Sequence, residues 1–302
     1  MKTGLALAGG GARGAAHIGV LQVFKEEGIA IDAIAGSSAG AIVGAMYAAS
    51  LDTDWVEDRF RSFLKSDVFN KMAVTRLRRN TVDSDSTIMQ LGRYVKDKLV
   101  MTIALSRKGI VDRDKLVDCI HYLLPVDRFS DLKLPLSVVA TDLNTGNSII
   151  HTSGNLIEAV VQSCSIPGVV PPTQKNGQVV VDGGVYSPIP VEEVKKMGVQ
   201  FIIGVDIARS GVETIIDYNI FELMARSEQV TSVRLSRALS EKADVVIRPE
   251  VKGAHWSEFD KYDEFLESGK KSARESVSDI RNKMAERAKW SYRLKQKIIN
   301  SL

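Results

Sequence analysis

Apolar positions along the chain follow two alternating rhythms. Short continuous apolar runs, the mark of strands buried on both faces of a parallel sheet, occur at 5–8, 33–35, 136–140, 179–181, 201–206 and 244–247. Between them lie segments of helical period. Ile18, Leu21 and Phe24 share one face of a helix that Gly28 stops, 41–47 is a small-residue helix, and 55–64, 112–124, 155–163, 191–197 and 218–239 follow. Asp112 stands where a cap for 112–124 belongs. A turn at 141–147 leads into a second strand at 148–151, and Pro167, Gly168, Pro171 and Pro172 stiffen an irregular loop at 165–172. This alternation from residue 5 to 249 predicts one doubly wound α/β domain, placed at 1–254.

Two stretches break the pattern. From 65 to 110 Met72, Met89, Leu91, Val95, Leu99, Val100 and Met101 are interleaved with Lys65, Lys71, Arg76, Arg78, Arg79, Arg93, Lys96, Lys98, Arg107 and Lys108. This helical insertion reads either as a cover with apolar faces for acyl chains and cations for anionic headgroups, or as a solvated insertion without substrate contact. The second stretch, 255–302, forms a helical C-terminal extension. Phe259, Tyr262, Phe265 and Leu266 suggest packing on the domain. Beyond Gly269 a long helix aligns Val277, Ile280, Met284, Ala288, Leu294 and Ile298 beside Arg281, Lys283, Arg287, Lys289, Arg293, Lys295 and Lys297, with Trp290 and Tyr292 among them. Two readings stay open for it: peripheral contact with an anionic membrane surface, or a helix packed on its own domain or on a second copy in a homo-oligomer.

Composition narrows the classes. With 302 residues, 44% of them hydrophobic, the chain can bury a sizeable core; 40 basic against 37 acidic residues give a formal charge of only +3, which argues against wholesale nucleic-acid binding. Cys119 and Cys164 have neither metal-ligand spacing nor the look of a disulfide framework, which fits a reducing, cytoplasmic compartment. Lys2 and the run after it resemble the start of a signal peptide. The run breaks at once into Gly9-Gly10-Gly11, however, so a buried first strand is expected instead. No stretch of eighteen or more apolar residues occurs, so no membrane span is expected.

The candidate chemistry is concentrated in three places. Gly36-Ser37-Ser38-Ala39-Gly40 has the G-x-S-x-G form that exposes a serine hydroxyl on a sharp strand-to-helix turn, making Ser38 the candidate nucleophile. Gly36, Gly40 and Ala39 keep side chains out of the way where strand and helix meet. Gly9-Gly10-Gly11-Ala12-Arg13-Gly14 lies between a strand and a helix N-terminus, where backbone N–H groups and the helix dipole converge on negative charge. Its glycines satisfy the dinucleotide pattern G-x-G-x-x-G. The acidic residue that pattern needs at the end of the second strand is nevertheless absent, since Asp32 precedes that strand. An oxyanion hole fits better, because this loop and the elbow neighbour each other at the carboxyl end of a parallel sheet. Arg13 either attracts a lipid phosphate or braces the loop.

The third place is Asp182-Gly183-Gly184, where a buried strand delivers a carboxylate onto a turn without side chains. Serine needs a base. His17, His121, His151 and His255 are available, and Ser38, Asp182 and His255 follow the α/β-hydrolase order, but a nucleophile after the second strand does not suit that fold. A partly dry Asp182 has a raised proton affinity and can serve as the base itself.

The glycine loop, the elbow and the Asp-Gly-Gly turn in this order, with 140–146 and Ile166-Pro167-Gly168, resemble the patatin-like phospholipases over roughly residues 4–250. The chain is most similar to the short bacterial members related to the neuropathy target esterase catalytic domain. The resemblance implies a three-layer α/β/α fold with a mostly parallel central sheet. It also implies a Ser38–Asp182 dyad without histidine, an oxyanion hole at Gly9, Gly10, Gly11, Ala12, Arg13 and Gly14, and supporting roles for Gly36, Gly40, Gly183 and Gly184. The implied activity is hydrolysis of phospholipid or lysophospholipid acyl esters, with no metal or other cofactor; the alternatives are a non-catalytic regulatory or scaffold protein on the same fold and a nucleotide-binding oxidoreductase built on the glycine loop.

Overall fold

The structure is a computed structural model that describes residues 1–72, 109–208, 220–251 and 254–289. In chain order it contains β1 (Thr3–Leu7), a 3-10 turn (Gly11–Gly14), α1 (Ala15–Glu26), β2 (Ala33–Ser37), α2 (Ala39–Ser50), α3 (Thr53–Leu64), α4 (Asp67–Met72) and α5 (Arg113–Leu123). There follow β3 (Leu136–Asp142), β4 (Asn147–His151), α6 (Leu156–Ser163), β5 (Thr173–Lys175), β6 (Gln178–Asp182), α7 (Val191–Lys196), β7 (Phe201–Val205), α8 (Ile220–Ser240), β8 (Val245–Ile247) and α9 (Tyr262–Ala288).

The strands join in one eight-stranded sheet in the order β5-β6-β3-β2-β1-β7-β8, with β4 also paired to β3. The apolar runs read as buried parallel strands are β3, β2, β1, β7 and β8, which pair parallel. Every residue of β1, β2, β3 and β7 is buried, as strands covered on both faces by helices require. The apolar run at 179–181, expected among the parallel strands, lies in β6, which pairs antiparallel to both β3 and β5.

The antiparallel end of the sheet positions the site. β4 takes one edge of β3, along Val138 to Asp142. β2 and β6 divide the other edge: β2 runs up it as far as Ser37 opposite Val139, and β6 runs down it as far as Asp182 opposite Ala140. The two strands therefore end against each other on consecutive residues of β3.

Two features differ from expectation. Asp112 occupies the N-cap position of α5, but its side chain makes no capping hydrogen bond. The helix expected beyond Gly269 begins at Tyr262 and carries Gly269 inside it. That glycine is a packing contact: a Cβ there would lie 2.0 Å from Ala16 O, and one on Gly19 would lie 2.1 Å from Leu266 O, so α1 and α9 cross backbone to backbone. Tyr262, Phe265, Leu266, Ala273, Val277 and Ile280 are buried in the same core as β1 and α1. Most of the helical insertion at 65–110 and the end of the tail lie outside the described residues.

Candidate active site

Ser38 stands between β2 and α2 with φ 52° and ψ −120°, a left-handed backbone for a residue with a Cβ. Such strain persists only where the surroundings fix it. Here the Ser38 amide donates to Ser163 Oγ at 2.9 Å, and its carbonyl accepts from the amides of Ala41 and Ile42. The flanking glycine is required by space: a Cβ on Gly40 would lie 2.1 Å from Leu7 O. Small residues thus let α2 start directly against β1.

The Ser38 hydroxyl donates to Asp182 Oδ2 at 2.7 Å. The Gly184 amide donates to the other carboxylate oxygen at 2.7 Å, the Asp182 amide donates to Ser165 O, and Thr141 Oγ1 donates to Asp182 O. Gly183 has to be glycine, because a Cβ there would lie 2.1 Å from Val139 O. Ser38 is 7% and Asp182 6% exposed, so the pair is largely dry. Burial pushes the Asp182 carboxyl up to about 6 against the opposing hydrogen bonds from Ser38 and Gly184, and the charge of Glu228 pushes the same way as burial.

The glycine loop lies beside this pair, with a Cβ on Gly9 3.3 Å from the Ser38 Cβ. Its amides are not equivalent. Those of Gly9, Ala12 and Arg13 donate to Pro188 O, Trp256 O and Gly10 O, whereas those of Gly10 and Gly11 meet no protein acceptor among the described residues. Arg13 Nε donates to Gly10 O at 3.0 Å, which braces the loop.

No histidine joins the pair. His17 is fully buried with Nε2 donating to Ala8 O at 2.8 Å, and burial pushes its pKa down to about 4. His255 Nδ1 bonds Ser257 Oγ at 2.7 Å, and His121 faces Asp127. Asp32, the residue a dinucleotide would need, accepts from the Thr3 amide at the opposite end of β1. Among the described residues no cluster of three or more His, Cys, Asp or Glu side chains could hold a metal ion, and no helix is long and apolar enough to cross a membrane.

Ser38 sits where two cavities meet. One is apolar, lined by Ile42, Phe60, Phe63, Phe69, Leu116 and Val170 among others; the second is the more polar of the two, with Arg13, Asp182, Glu228 and Ser232 beside Ile166 and Val185 among its lining residues. Several residues around Ser38 carry no local signal in the sequence. Ser163, Glu228 and Ser232 read as ordinary helix positions, and Trp256 falls within the expected C-terminal extension. Only tertiary packing brings them to Ser38. Cys164, which also lines the apolar cavity, has its thiol pushed well up by burial and by the Asp182 charge, so it stays protonated.

A doubly wound α/β fold with a strained serine bonded to a buried carboxylate at the carboxyl end of β2 defines a class. A family model described as patatin-like phospholipase matches residues 5–195. The chain belongs to the patatin-like phospholipase family. It is 32% identical over 206 residues to an NTE family protein of Mycobacterium tuberculosis, covering 68% of this chain and 49% of that protein. It is 25% identical over 291 residues to lysophospholipase NTE1 of Saccharomyces cerevisiae, covering 88% of this chain and 16% of that protein. The chain thus spans about half the length of its mycobacterial relatives and far less of the yeast protein. Among solved structures, VipD from Legionella pneumophila shares the fold, with a TM-score of 0.50 and 17% identity over 92% of this chain and 67% of that one.

Proposed function

We propose that this chain is a serine acyl hydrolase that releases fatty acids from lipid esters, with phospholipids or lysophospholipids as the substrate class. The observation that carries the reading is the 2.7 Å hydrogen bond from Ser38 to Asp182 at the junction of an apolar and a polar cavity. Membership of a phospholipase family and similarity to a protein named lysophospholipase support it. The acyl chain enters the apolar cavity and the alcohol portion, with any headgroup, lies in the polar one.

In this reading Asp182 takes the proton of Ser38 as Oγ attacks the ester carbonyl. The tetrahedral oxyanion is met by the amides of Gly10 and Gly11, which have no protein acceptor among the described residues, so little reorganisation opposes them. Protonated Asp182 returns its proton to the leaving alcohol as the ester C–O bond breaks. Water, losing a proton to the same carboxylate, then attacks the acyl-serine, and that proton returns to Ser38 as the fatty acid leaves. A carboxyl with a pKa of about 6 suits both halves, since it takes a proton near neutrality and gives it back. The test is hydrolysis of p-nitrophenyl butyrate and of a lysophospholipid by wild type and S38A. The reading requires both activities in wild type and neither in S38A; an S38A protein that keeps the wild-type rate overturns it.

A further inference from the structure

The wall of the polar cavity continues outward as an apolar surface. Glu228 and Ser232, one helical turn apart on α8, line the cavity. Counting back along α8 in steps of four from Glu228 gives Met224 and then Ile220, about 6 and 12 Å further along the helix. Met224 and Ile220 are each 65% exposed, and Leu223 beside them is 43% exposed. On another element of the same rim, directly after Asp182-Gly183-Gly184, Val185 and Tyr186 are exposed while Val185 also lines the cavity. Val185 thus lines the cavity, Tyr186 follows it, and Ile220, Leu223 and Met224 lie within about two helical turns of the cavity-lining Glu228. Isolated exposed apolar residues are unremarkable, whereas a group around a cavity mouth marks a contact surface.

The tail helix does not offer such a surface over its described length. Val277 and Ile280 of α9 are buried and Met284 packs against the core. Its cations bind their own chain: Arg281 pairs with Glu27, Lys283 donates to Asp244 O, and Arg287 pairs with Asp244.

We propose that Ile220, Leu223 and Met224 of α8, together with Val185 and Tyr186, form the face through which the protein seats on a lipid surface. The inference rests on the acyl-hydrolase reading and deepens it. The apolar cavity can receive an acyl chain only if the chain leaves a lipid aggregate, and an apolar rim pressed against that aggregate spares the chain a crossing through water. Continuity with the catalytic cavity favours lipid over a second copy of this chain, because a second copy would close the entrance.

The experiment uses vesicles of mixed phosphatidylcholine and phosphatidylglycerol and the S38A chain, which leaves the lipid intact. Flotation of S38A is compared with S38A carrying I220Q, L223Q and M224Q, substitutions at exposed positions by a good helix former. S38A should float, and the triple substitution should weaken partitioning on the order of tenfold or more. Equal flotation of the two, or no flotation of S38A, overturns the proposal. So does a wild-type dimer that the triple substitution dissociates while vesicle binding persists, since the patch is then a contact between copies. The triple variant with Ser38 restored should keep its rate on soluble p-nitrophenyl butyrate and lose rate on vesicles. Absence of all ester cleavage by wild type counts against the hydrolase reading, while flotation still decides the docking surface.

Discussion

Ser38 and Asp182 lie 144 positions apart in the chain and are joined by a 2.7 Å hydrogen bond where β2 and β6 end on one edge of β3. Sheet register fixes this meeting: Ser37 pairs with Val139 and Asp182 with the next residue, Ala140. The hydroxyl and carboxylate are thus held by backbone ladders, by the buried Ser163 hydroxyl and by the Gly184 amide.

If Asp182 is the base, D182N should lower kcat/KM on p-nitrophenyl butyrate by about 10²- to 10⁴-fold, the usual worth of general base catalysis. H255A and H121A should stay within about threefold of wild type, because neither ring bonds to Ser38 or Asp182. Steady-state kinetics on the folded variants checks both. Loss of activity in H255A comparable to that in D182N would replace the dyad with a triad.

A base at Asp182 would work only when ionised, so on the proposed mechanism the rate should rise as pH increases through about 6 and level off above it. Glu228 adds negative charge facing Asp182 and holds its proton more tightly, so E228Q should move this limb to lower pH. The pH profile of kcat/KM for wild type and E228Q reads this directly. An unchanged or upward-shifted limb in E228Q contradicts it.

The same burial links activity to stability. Burial raises the Asp182 carboxyl from its ordinary 3.8 to about 6 in the folded chain, so the folded state binds the proton more tightly. The unfolded chain has lost its proton between those values while the folded chain still holds it. Stability from this group is therefore present below the lower value and lost as pH rises through about 6. Two units correspond to about 3 kcal/mol. D182N escapes this cost and should be more stable than wild type at pH 7.5, by roughly 1–3 kcal/mol, with the advantage vanishing towards pH 4. Urea unfolding at the two pH values measures it.

The local geometry of the elbow, the glycine loop and the Asp-Gly-Gly turn is legible in sequence because each is a local demand for small residues at fixed spacing. Buried parallel strands such as β1 and β7 were legible for a similar reason, since continuous apolar runs have few other uses. The reversal of β6 was not, because a short apolar run looks the same in either direction and only pairing with β3 and β5 reveals its sense. Ser163 was equally hidden, since its role is to accept the Ser38 amide from 125 positions away. Gly269 looked like a helix boundary because glycine is a poor helix former; its purpose, contact with Ala16 on α1, is tertiary.

Space at the two glycines nearest the dyad gives a further prediction. A methyl group on Gly40 would press on Leu7 O and one on Gly183 on Val139 O, both backbone atoms that cannot swing away. G40A and G183A should each lower stability by about 1–3 kcal/mol and, by displacing Ser38 or Asp182, lower the rate further than the stability loss alone explains. Thermal unfolding paired with kinetics below the transition separates the two effects.

The most direct measurement of the central claim is labelling with a fluorophosphonate, which reacts only with an activated serine, followed by mass mapping of the modified peptide. The expected result is one adduct, on the peptide containing Ser38, whose rate of formation climbs with pH through about 6 and collapses in D182N. An adduct on a different serine, or labelling of Ser38 at an unchanged rate in D182N, would contradict it.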